Sequence, residues 1–140
     1  MTRRFQYRSE IQSIPDIRRD LESVAVTWEI PSPELKQITL IVEELFSHII
    51  RFAFEKDGEE LLDLDITLNG ARISIEIRDG GIPFNPLDYD PDSYAGPASS
   101  EDGGMGISLI RAFADVLHYE RKDKMNYLII EKNIRTKHES

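Results

Sequence analysis

The sequence predicts an α+β fold, a two-layer α/β sandwich whose mixed, mostly antiparallel sheet carries helices on one face. Three observations predict it. Apolar residues recur at helical spacing in two stretches of the first third. A strict apolar/polar alternation from Leu62 to Ile77 is broken only at Asn69 and Gly70, which reads as a hairpin. A second pair of apolar-rich strands flanks Asp123 and Lys124.

The totals bound what such a fold can do. At 140 residues the chain is expected to form a single domain spanning 1–140, large enough to bury a core without disulfides, and it contains no cysteine. There is no apolar run long enough to cross a bilayer, and the start Met-Thr-Arg-Arg-Phe-Gln-Tyr-Arg lacks the apolar centre of a signal peptide. A cytoplasmic location is therefore expected. With 17 Lys and Arg against 26 Asp and Glu, the net charge is -9. That field opposes nucleic acid and anionic membranes, and it suits protein or small-molecule partners.

In chain order, Arg3 to Ile11 reads as a short strand or arm, with Phe5 and Tyr7 in alternation. Ser13 followed by Asp16 resembles a capping box, and Ile17, Leu21, Val24, Ala25 and Trp28 then mark the buried stripe of a helix. Arg18 and Arg19 lie on its opposite face, either as a solvated pair or as a surface for a partner. Pro31, Ser32 and Pro33 end this helix and begin the next, with Ser32 as N-cap and Pro33 at the first helical position. Leu35, Ile38, Val42, Leu45, Ile49 and Ala53 form the second stripe, and Asp57 and Gly58 end the helix. Glu44 and His48 are neighbours one turn apart at the margin of that stripe, beside Ile41 and Phe52. They fit a simple pair, or a base and a metal ligand.

The hairpin carries the position on which the rest depends. With Asn69 and Gly70 as its two-residue turn, Ile66 is expected opposite Ile73, Leu64 opposite Ile75 and Leu62 opposite Ile77. Asp63 would then oppose Glu76. Ile73, Ile75 and Ile77 share one face, and the next residue of that parity is Asp79. A carboxylate facing inward is costly unless something pairs with it. Two readings follow: Asp79 is the floor of a small-molecule pocket, or it begins a turn through Gly80 and Gly81.

Residues 87–102 contain Pro, Gly, Ser and five acidic residues but no Lys or Arg, which reads as a functional lid or a disordered segment. Gly103, Gly104 and Gly106 follow and open a helix expected over Ile107–Val116. Bare N–H groups at a helix start can cradle an anion, although such loops also serve as hinges. The chain closes with the second hairpin, Leu117–Arg121 and Asn126–Lys132, and a polar tail at 135–140 expected to fray.

Three segments, in this order and spacing, resemble the boxes of the GHKL or histidine-kinase-like ATPases, and within them the anti-sigma-factor serine/threonine kinases. The first box is similar to Val42-Glu43-Glu44-Leu45-Phe46-Ser47-His48-Ile49-Ile50-Arg51-Phe52-Ala53-Phe54. The second is similar to Arg78-Asp79-Gly80-Gly81-Ile82-Pro83-Phe84-Asn85-Pro86, and the third to Gly103-Gly104-Met105-Gly106-Ile107-Ser108-Leu109-Ile110-Arg111. The fold implied is the Bergerat fold, and the activity an ATP-dependent transfer of phosphate to a protein serine.

The resemblance also implies roles. Asp79 would accept a hydrogen bond from the adenine amino group, and Gly81 would let the backbone approach the ring. Gly104, Met105 and Gly106 would hold the phosphates, and Glu44 would be the general base. Arg18 and Arg19 would anchor a partner. The cofactors implied are ATP and Mg2+, and the partners a sigma factor and an anti-anti-sigma (STAS-domain) protein, with homodimerisation through the sheet edge. His48 stands where this family has its Mg2+-binding Asn, so it would bind the metal directly or through water. An imidazole suits a hard octahedral ion less well than an amide oxygen does, which opens a second reading: a partner-binding module that has lost catalysis. The Thr that this family often places near adenine has no clear counterpart around Asn126.

Overall fold

The computed structural model describes residues 1–54, 60–88 and 110–134. Strands β1 (Thr2–Arg8), β2 (Leu61–Asn69), β3 (Arg72–Asp79), β4 (Val116–Lys122) and β5 (Met125–Asn133) form one sheet of order β1-β2-β3-β5-β4. Every pairing is antiparallel, so the mixed sheet expected from sequence is not found among the described residues. Helices α1 (Ile14–Trp28) and α2 (Ser32–Phe52) cover one face. The core lies between the layers, where Ile17, Leu21, Val42, Leu45 and Phe46 meet Leu64, Ile66, Ile75, Ile77 and Leu128.

The five apolar residues read as the stripe of α1 are those the helix buries. Its capping box is not realised. Ser13 turns its Oγ back to donate to the Arg8 carbonyl at 2.8 Å, and Asp16 pairs with Arg19 instead. The helix stops where Glu29 takes a left-handed conformation, φ 55°. In α2 the N-cap is Pro31, one residue earlier than expected, and the helix ends at Phe52 with Ala53 as cap.

The β2–β3 hairpin keeps the expected parity but slips by two residues. Leu68 opposes Ile73, Ile66 opposes Ile75, Leu64 opposes Ile77 and Leu62 opposes Asp79. The turn residues are Gly70 and Ala71, and Gly70 alone has positive φ, 63°, as a two-residue turn with glycine first requires. On the open face, Asp63 now faces Arg78, and Asp65 faces Glu76. Arg78 resolves that like-charge pair by donating to Asp65 at 2.9 Å and to Glu76 at 2.8 Å.

The β4–β5 hairpin turns at Asp123 and Lys124 as expected, both with positive φ. Val116, expected to end a helix, begins β4 instead, one residue before the strand start expected at Leu117; among the described residues after the glycine-rich segment, helical structure is found only at 110–113. The sheet is sealed at one end by backbone bonds from both directions. Leu68 N–H donates to the Met1 carbonyl at 2.9 Å, and Ile134 N–H donates to the Ala71 carbonyl at 2.7 Å. Among the described residues no helix is long and apolar enough to cross a membrane.

Candidate functional site

The site is built at the opposite end of the sheet, where β3 runs out. Strand parity carries Asp79 inward after Ile73, Ile75 and Ile77, and the residue is 2% exposed. Two donors converge on one of its oxygens. Gly81 N–H reaches Oδ1 at 2.9 Å and Asn126 Nδ2 reaches the same atom at 2.8 Å. Oδ2 accepts no hydrogen bond among the described residues. Burial pushes the Asp79 carboxyl above its ordinary range, opposed by the Asn126 and Gly81 hydrogen bonds and by the charge of Arg121.

Asn126 lies across the β3–β5 ladder from Asp79 and is equally buried. Its Nδ2 donates a second time, to the Ile82 carbonyl at 2.9 Å, while its Oδ1 accepts from Phe84 N–H at 3.4 Å and from the Tyr119 hydroxyl. Arg121, next on the inward row of β4, donates to the Gly81 carbonyl at 2.8 Å. Three strands therefore hold the turn after β3. Sequence reading missed Asn126, yet the signal was the one that found Asp79: a polar residue at the inward parity of a strand end, before Leu128 and Ile130.

The turn is also welded to the end of α2. Ile82 N–H donates to the Ala53 carbonyl at 3.0 Å, and a Cβ at Gly81 would collide with that oxygen. Glycine is required at 81 by this approach of helix to turn, whatever else the site binds. Gly80 is different, since a Cβ there would meet only Met125 Sδ at 3.5 Å. Ring contacts continue the junction into the helix: Phe84 lies 5.6 Å from Phe52, and Phe52 stacks on His48 at 5.9 Å.

His48 is not at the edge of the core, as the wheel suggested, but inside it, with a side chain 1% exposed; Glu44, one turn earlier, is 28% exposed. His48 Nε2 is 4.0 Å from Glu44 Oε2, an ion-pair separation too long for a hydrogen bond. Burial raises the affinity of the Glu44 carboxyl for its proton; Arg51 lowers it and Glu43 raises it further.

Arg18 and Arg19 lie apart from this cluster. Arg18 bridges the two helices by donating to Glu43 of α2 at 2.7 Å, and Arg19 pairs with Asp16 on its own helix. Arg18 and Glu43 border a groove of about 360 Å³ between α1 and α2, with Leu35 and Leu40 in its lining. Gly104, Met105, Gly106, the greater part of the expected lid and the tail at 135–140 lie outside the described residues.

Comparison with known proteins decides the family. The description "Histidine kinase-like ATPase domain" matches residues 7–132. The chain belongs to this family. The histidine-kinase-like domain here is also 27% identical, over 94 residues, to the serine/threonine-protein kinase BtrW of Bordetella bronchiseptica. That match spans 66% of this chain and 66% of BtrW. Its fold is similar to that of the Acinetobacter baumannii histidine kinase AdeS, with a TM-score of 0.51 and 12% identity over 96% of this chain and 70% of the other. The family matched is one of ATPase domains, and the fold agrees with that membership.

Proposed function

We propose that this chain binds ATP and acts as an anti-sigma-factor-type serine/threonine kinase, capturing a sigma factor and phosphorylating a serine of an anti-anti-sigma (STAS-domain) protein. The observation that carries nucleotide binding is the Asp79 carboxylate: buried, with its donors among the described residues gathered on Oδ1 and Oδ2 left to accept from a ligand. An adenine amino group supplies that donor. The glycine-rich segment with Gly104, Met105 and Gly106 would hold the phosphates through its backbone N–H groups.

In the transfer step the serine oxygen attacks the γ-phosphorus of ATP. The new P–O bond forms as the bond between the γ-phosphorus and the β–γ bridging oxygen breaks, and ADP leaves with that electron pair. Glu44 takes the serine proton. Its raised proton affinity and partial exposure suit a base that must meet a protein substrate at the surface. Arg18 and Arg19, on the outer face of α1, would meet the partner, and a second copy would pair through the sheet edge.

The residue at the magnesium position does not fit that ion. His48 offers an imidazole, buried and stacked on Phe52, where a hard octahedral cation prefers oxygen. The same observation supports a second reading, a partner-capturing module of this family without kinase turnover.

Calorimetric titration of ATP, with and without Mg2+, into wild type, Asp79→Asn and His48→Asn tests both. Binding that Asp79→Asn abolishes and His48→Asn strengthens in the presence of Mg2+ supports the nucleotide site. Phosphoserine on a co-incubated STAS-domain protein supports the kinase; partner capture indifferent to ATP and to Glu44→Ala supports the module. No ATP heat in any variant overturns the nucleotide reading.

A further inference from the structure

We infer that Asn126, braced by Tyr119, is a positioning residue that presents only Oδ2 of Asp79 to the ligand and thereby selects a purine with an amino group at its 6-position over one with a keto oxygen there. This rests on the nucleotide-binding reading above and names the specificity of the same site.

The argument is one of hydrogen-bonding capacity. A side-chain amide has two donor hydrogens and two acceptor positions. In Asn126 all four are used within the protein: Nδ2 serves Asp79 Oδ1 and the Ile82 carbonyl, and Oδ1 serves Phe84 N–H and the Tyr119 hydroxyl. The orientation of the amide follows from its neighbours. The Asp79 oxygen and the Ile82 carbonyl must face the nitrogen, because the Phe84 backbone N–H can only donate and so claims the oxygen. At 2% exposure and with no valence left, Asn126 does not touch a ligand; it acts through Asp79.

Of the two donors on Oδ1, Gly81 lies two residues on, in the turn that Asp79 itself begins. Asn126 comes from β5, 47 residues away, and ties the carboxylate to the sheet. Oδ2 is then a fixed acceptor, and the two kinds of purine meet it differently. An amino group donates to it, while a keto oxygen places two acceptors face to face.

The test is titration of the full chain with ATP and with inosine triphosphate, which replaces the amino group by a keto oxygen. Wild type, Asn126→Ala and Tyr119→Phe are compared, with chemical unfolding of each in parallel. Wild type is expected to prefer ATP by at least about tenfold, as one charge-assisted hydrogen bond implies. Asn126→Ala should reduce that ratio to within about threefold, and Tyr119→Phe should give an intermediate value. A purely structural role would weaken both nucleotides together and leave the ratio unchanged. An unchanged ratio in the variants, or no preference in wild type, overturns the inference while the nucleotide reading stands. Absence of ATP binding in wild type overturns both. If Asn126→Ala does not fold, the Tyr119→Phe ratio decides.

Discussion

Leu62 faces Asp79 across the β2–β3 ladder, so the last inward position of the hairpin sets a fully buried leucine against a buried carboxylate. The apolar neighbour is part of why burial dominates the proton affinity of Asp79. It also means that the acid exists at a cost to stability.

Asp79→Asn should therefore unfold no more easily than wild type at neutral pH, and by up to about 1 kcal/mol less easily, while losing nucleotide binding. The amide oxygen of the variant can still accept from Gly81 and Asn126. A carboxyl whose folded pKa is raised contributes stability that is complete below its ordinary value of 3.8 and is lost as pH rises through the folded value. The stability difference, variant minus wild type, should then grow upward from that point. Thermal unfolding of both proteins over a pH series measures it, and a difference that shrinks with rising pH contradicts the assignment.

Gly81→Ala should destabilise the fold by about 1–3 kcal/mol, because the added methyl group must displace the Ala53 carbonyl or the turn. Gly80→Ala, which meets only a flexible methionine sulfur, should stay within about 0.5 kcal/mol of wild type. Urea unfolding midpoints at constant slope compare the two neighbours directly.

Arg78→Leu removes the cation that separates Asp65 from Glu76 on the open sheet face. Its side chain is 22% exposed and that of Asp65 15% exposed, so screening is incomplete. A loss of about 1–2 kcal/mol is expected at low salt, and a smaller one at high salt. Equal losses at both ionic strengths would show that packing, not charge, is what Arg78 supplies.

Glu44→Gln separates binding from chemistry. With the pocket around Asp79 untouched, ATP affinity should change by less than about threefold, while phosphoryl transfer to a STAS-domain protein should fall by about 100-fold or more. Paired calorimetry and phosphoserine detection give both numbers from one preparation.

How far the sequence could be read depended on the range of the forces involved. The stripe of α1 and the inward parity of Asp79 are local periodicities, and both were legible. The hairpin register was not. Turns at Asn69–Gly70 and at Gly70–Ala71 differ by a slip of two residues, which leaves every apolar side chain on the same face, so hydrophobic pattern cannot separate them. The charges could have done so: only the observed register sets Arg78 opposite Asp63. The role of Ser13 is not fixed locally, because a serine beside a helix start can accept from its own helix or, as here, donate to a preceding strand. Asn126 and the burial of His48 are tertiary facts, created by β5 lying against β3 and by Phe52 closing over the imidazole.

The backbone bonds of Met1 and Ile134 to the β2–β3 turn region place both described ends of the chain at one pole of the sheet, and Asp79 stands at the other. The seven steps from Arg72 to Asp79 span about 23 Å. An affinity tag, a fluorophore or a surface tether attached beside Met1 would begin that far from the carboxylate, and the molecule can be immobilised there with its candidate site facing solution.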